Sequence, residues 1–204
     1  MKKIARMAIL LMVVLTMAGC SKAEMAEQAD GIVIGKDGKI TGTLVNVLDQ
    51  SYYDSEELKN MIETEIADTN AKQGADAVTL ESYNCDNSGK VKVKLVYADN
   101  DAYQAFNNTT FFSGTSVTAN ELYGLKGNFL NVQDGKVTTE DAVVTEDSKV
   151  VVVSENVNVT VPGKIIAVTD NVEITGKKTA SVNVEKEDES EDESEEELAY
   201  IVYR

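Results

Sequence analysis

The chain contains two cysteines, no histidine and no tryptophan, so its side-chain chemistry must begin from a thiol, a hydroxyl, a carboxylate or a lysine amine. Without histidine there is no Ser-His-Asp or Cys-His nucleophile, no usual proton shuttle at neutral pH and none of the commonest zinc sites. Cys85 lies where an apolar run meets Asp86-Asn87-Ser88-Gly89, and the neighbouring carboxylate disfavours the thiolate a nucleophile needs. It reads as a partly buried structural cysteine. Ser88-Gly89-Lys90 lacks the Ser-x-x-Lys spacing of a histidine-free dyad and suits a hairpin turn. Asp99-Asn100-Asp101 starts like a calcium loop without the glycine and closing glutamate of one, so it is expected to cap a short helix. The glycines from Gly31 to Gly38 punctuate a hairpin and do not make a phosphate loop. Carboxylate pairs are so abundant that none marks a glycosidase cleft. The chain is therefore not expected to be an enzyme, and no catalytic residue, cofactor or metal site is assigned. Tyr52 with Tyr53, and Phe111 with Phe112, form two aromatic pairs near loops. Core packing is their expected role, and an exposed recognition patch is the alternative.

Cys20 stands in a different setting. Lys2, Lys3 and Arg6 form a basic start, and Met7 to Met17 is an apolar stretch interrupted only by Thr16. Eleven residues make about 16 Å of helix, half of a hydrocarbon core of about 30 Å. That length suits the apolar region of a secretion signal and is too short for a span. The segment Leu15-Thr16-Met17-Ala18-Gly19-Cys20-Ser21 resembles the lipobox of bacterial lipoproteins, with Met17 standing where leucine is commonest. The resemblance covers about a tenth of the chain. It implies that residues 1–19 are a cleaved signal, that the Cys20 thiol carries a diacylglyceryl group, and that the protein faces outside the cytoplasm on a lipid anchor. Two acyl chains suffice for durable anchoring, at about 0.8 kcal/mol per buried methylene. Residues 20–30 then form the lipidated cysteine and a polar tether.

The formal charge is −16. Removing the signal takes away Lys2, Lys3 and Arg6 and no acid, which leaves −19. Such a surface does not neutralise phosphates, so nucleic acid is excluded as a partner and the membrane is reached through the lipid on Cys20 alone. Residues 185–197 (EKEDESEDESEEE) hold ten acids and one lysine. A run of that composition buries no apolar surface and is expected to be a disordered loop.

The elements that must position these residues follow from periodicity. Ile32 to Leu48 reads as a hairpin turning at Asp37-Gly38. A helix follows, with Asp54 as N-cap, Leu58, Met61, Ile62, Ile66 and Thr69 on one face, and Gly74 as its stop. A second hairpin joins Ala77–Tyr83 to Val91–Tyr97, and a short helix runs from Asp101 to Asn107. Residues 31–127 are thus expected to be an α+β domain, an antiparallel ββαββα unit, in which 109–127 is a loop or link. Residues 128–204 read as a small all-β unit of short strands carrying the acidic loop. Asn156-Val157-Asn158-Val159-Thr160 and Asn171-Val172-Glu173-Ile174-Thr175 resemble each other at a spacing of fifteen, too few copies for a solenoid. Leu198 to Tyr203 is expected to be a buried strand paired with Ala180–Val184 across the acidic loop.

The reading that fits all this is a lipid-anchored extracytoplasmic binding or structural module, with an envelope protein as a possible partner. The alternatives are a histidine-free carboxylate enzyme of the cell envelope and a weak cation-binding protein acting through its acidic loop.

Overall fold

Val91-Lys92-Val93-Lys94-Leu95-Val96-Tyr97 alternates apolar and polar side chains, and that period of two is what a strand with one covered face requires. In the computed structural model Val91, Val93, Leu95 and Tyr97 are buried while Lys92, Lys94 and Val96 are half-exposed. The structure describes residues 30–50, 53–184 and 196–204. Cys20 with its surrounding motif, Tyr52, and residues 185–195 of the acidic run lie outside the described residues.

The fold is mixed α+β. In chain order the elements are β1 (Gly31–Ile34), β2 (Ile40–Val47), α1 (Ser55–Gln73), β3 (Val78–Cys85), β4 (Lys90–Tyr97), α2 (Asn100–Asn107), β5 (Phe111–Thr115) and α3 (Ser116–Tyr123). Then come β6 (Phe129–Gln133), β7 (Lys136–Asp141), β8 (Lys149–Val153), β9 (Asn158–Thr160), β10 (Ile165–Thr169), β11 (Val172–Ile174), β12 (Thr179–Val182) and β13 (Ala199–Tyr203). One sheet has the order β11-β12-β9-β1-β2-β4-β3, and the other has the order β5-β8-β13-β10-β6-β7. Their facing sides share one core, in which Ile32, Ile40, Val159 and Ala180 of the first sheet join Val151, Val168 and Ile201 of the second. Beside this contact α1 and α2 supply Ile62, Ala102 and Tyr103 to the same core. The far face of the second sheet carries a smaller core, where Val150, Val152, Tyr200 and Val202 meet Ala119 of α3.

Local chemistry accounts for the element ends. The Asp54 carboxylate accepts the Glu56 and Glu57 amides to start α1, and Gly74 ends the helix at φ 117°. Asp99 caps α2 by accepting the Ala102 amide, a cap's ordinary work. The β6–β7 turn places Asp134 and Gly135 at φ 50° and 78°, the two positive values a tight hairpin of matching twist requires.

Two expectations meet a different outcome, and the two halves read in the sequence contribute to the same sheets. Residues 109–127 contain β5 and α3; β5 shows no alternation because Phe111 and Phe112 are buried on opposite faces of a doubly covered sheet. The closing strand does not pair with Ala180–Val184. β13 lies between β8 and β10, while both edges of β12 are taken by β11 and β9. All five residues of β13 are buried, Ala199, Ile201 and Tyr203 in the shared core and Tyr200 and Val202 in the smaller one, while β8 and β10 take both of its edges. Finally, both sheets draw strands from either side of residue 127, and β1 pairs with β9 in parallel. The two similar fifteen-spaced segments become β9 and β11, flanking β12 so that Val159 and Ile174 both oppose Ala180.

Candidate functional site

The side chains singled out for chemistry are scattered. Cys85 is exposed rather than partly buried, because β3 ends there and its Sγ meets only the Asp86 carbonyl, at 3.7 Å. Asp86 is engaged in the turn: its carboxylate accepts the Ser88 hydroxyl and the Ser88 and Lys90 amides, which hold its pKa below the usual range. Phe111 and Phe112 are core residues, while Tyr53 is 40% exposed. The aromatic pairs therefore do not join in one patch among the described residues. Nor do the described residues contain three or more acids or cysteines grouped to hold a metal ion. No helix among them is long and apolar enough to cross a membrane.

Two buried polar arrangements went unseen in the sequence. Tyr103 packs on Tyr97 with ring centroids 4.8 Å apart and donates its hydroxyl to Glu155, 2.7 Å away. Burial raises both phenols well above 10, and the Glu155 carboxylate adds to the effect. Both stay protonated at any ordinary pH, so this cluster supplies a hydrogen bond and not a base. Asp30 is the one carboxyl pushed upward by burial among the resolved shifts, and its Oδ1 accepts the Val45 amide. It fastens the start of β1 to β2, and Asn158 donates to its carbonyl from β9. With that oxygen engaged by the Val45 amide, Asp30 is a strand-start clamp.

The feature with a definite geometry is a gathering of lysines on the turns at the end of the sheets opposite Asp30. β1 and β9 run in parallel, so Asp30 marks one end and the residues following Thr160 mark the other. The acidic run also departs from and returns to the Asp30 end. Val184 donates its amide to Asn156, and Asn171 binds both the Asn183 amide and the Glu197 carboxylate. At the opposite end the β6–β7 turn rests on the β11–β12 turn. A Cβ added at Gly135 would lie 3.2 Å from the Lys177 nitrogen, so only glycine fits there without displacement. The Asp134 carboxylate takes Lys164 at 3.2 Å and Lys177 at 3.6 Å, and both lower its pKa. Lys178 donates to the Pro162 carbonyl at 2.8 Å, and Lys136 opposes Gln133 beside the turn. Lys36 and Lys39 belong to the β1–β2 turn at this same end.

The outward face of the first sheet is the other broad surface. Val33, Thr41, Val96 and Thr79 lie across it in one row, and Gly31, Thr43, Lys94 and Ser82 in the next. It is half-exposed to exposed throughout, with Lys94 and Glu81 paired at 3.0 Å. No protein-family model matches the chain, and no curated protein or solved structure matches it.

Proposed function

We propose that the protein is a lipid-anchored extracytoplasmic module that binds or supports a partner at a surface held away from the membrane. One observation carries the reading: the tether suggested by Cys20-Ser21 through Asp30 enters the fold at one end of β1, and the cation-rich turns stand at the other. A domain tied at the Asp30 end presents the opposite end outward. The tether of about ten residues reaches about 33 Å when extended, long enough to clear lipid headgroups. In this reading β1 to β4 hold the entry strand, and the β1–β2, β6–β7 and β11–β12 turns face outward. The lack of histidine and the capping role of Asp30 favour binding over catalysis.

Labelled palmitate tests the anchor. The wild-type chain should take up label and fractionate with membranes, and Cys20→Ala should do neither. Label remaining on the variant would overturn the reading.

A further inference from the structure

The corner where the β6–β7 and β11–β12 turns meet holds more positive charge than its own turns use. Lys164 and Lys177 pair with the Asp134 carboxylate, Lys178 donates to the Pro162 carbonyl, and Lys136 follows the same tight turn as Asp134. Four lysines against the carboxylates of Asp134 and Glu140, the latter held by Gln133 opposite Lys136, leave a local excess of about two charges in a chain of formal charge −16. The corner is also firmly built. Lys164 and Arg204 exchange both backbone hydrogen bonds, Ile165 donates to the Lys177 carbonyl, and Val161 donates to the Lys178 carbonyl. Ammonium groups on braced turns lose less freedom on binding than those on loose loops.

We propose that this corner docks an acidic polysaccharide, a linear glycan bearing a carboxylate or phosphate on its repeats. The lysines come from three loops and both sheets, which suits charges repeated along a chain better than one small anion. Lysine contributes point charges without the fixed fork arginine brings to a single carboxylate. Nucleic acid is disfavoured by the negative field of the rest of the molecule, and the Tyr203 ring beside Gly163 is buried and cannot stack on bases. A protein partner would need a desolvated apolar centre. Val161 and Ile165 beneath the corner are buried, and Val137 alone is exposed beside Lys136. Screening over about 8 Å at physiological salt lets the local lysines act on a ligand despite the distant acids.

The test uses the full chain in neutral detergent, with polygalacturonate as the carboxylate arm and phosphomannan as the phosphate arm. At 50 mM NaCl one or both should bind, while neutral dextran and single-stranded DNA should not. Replacing Lys136, Lys164, Lys177 and Lys178 by Gln should weaken binding at least tenfold. It should also flatten the dependence of log affinity on log salt by up to about four units, near one per lost contact. Replacing Lys59, Lys72, Lys90 and Lys92 by Gln removes equal charge elsewhere and should change affinity less than threefold. If the corner variant does not fold, Lys136→Gln with Lys178→Gln keeps both Asp134 pairs and should still weaken binding at least threefold. The proposal is overturned if neither charged glycan binds, if both four-lysine variants lose affinity alike, or if DNA binds equally well. Because detergent-held protein needs no acylated Cys20 to bind, failure here is distinct from failure of the anchor.

Discussion

Asp30 shows how one atom's environment sets a residue's role. Burial pushes its carboxyl upward, so its charged form opposes folding at neutral pH, while its oxygen satisfies the Val45 amide. Asp30→Asn retains an acceptor without the buried charge and should melt at or above the wild-type temperature. Asp30→Ala strands the Val45 amide and should melt lower, by the equivalent of about 1–3 kcal/mol. A lower midpoint for Asn than for Ala would contradict this account. Tyr97 and Tyr103 give a second residue-scale prediction. Their folded-state pKa values lie above that of an unfolded tyrosine, near 10. The stability they contribute is therefore intact below about pH 10 and is lost as pH rises beyond it. Melting midpoints should hold steady to about pH 9.5 and then fall, with a shallower fall when both are Phe. An unchanged midpoint at pH 11 would sink the idea.

Among the elements, β13 decides whether the second sheet exists. Ala199, Tyr200, Ile201, Val202 and Tyr203 are all buried between β8 and β10. Each large apolar side chain contributes about 1.5–3 kcal/mol, and whole domains hold only about 5–15. Removing Leu198–Arg204 should abolish cooperative melting, and Ile201→Ala alone should cost about 2–5 kcal/mol. Intact cooperative melting after the truncation would disprove the central placement. That Leu198–Tyr203 would be buried was legible from its composition; its neighbours were not. Pairing partners are set by which faces need covering, and a strand apolar on both faces carries no period that says where it sits. The same lack of alternation hid β5 among residues read as a loop. Asp54, Gly74, Asp99 and the Asp134-Gly135 turn were legible because caps and tight turns depend on side chains close in sequence. The lysine corner was not, since Lys164 reaches Asp134 through the pairing of β10 with β6 and Lys177 through contact between the two sheets.

For the whole molecule, charge is the dominant large-scale feature. A chain of formal charge −16 repels itself when folded. Screening lengths shorten from about 30 Å at 0.01 M salt to about 8 Å at 0.15 M. The thermal midpoint should rise by a few degrees over that interval, although the Asp134 ion pairs weaken slightly. A falling midpoint would mean that ion pairs outweigh repulsion. The same uneven charge gives the proposed orientation its meaning, with Val184 and Glu197, which flank the acidic run, at the Asp30 end and Lys136, Lys164, Lys177 and Lys178 at the far end. All of that depends on Cys20 holding the chain to lipid. Intact mass spectrometry of the protein purified from its membrane fraction addresses this most directly. The account predicts a chain beginning at Cys20, with the mass of a diacylglyceryl group on the thiol and no reaction of that thiol with alkylating reagent. A chain that retains residues 1–19, or one that begins at Cys20 with a free thiol, would contradict it.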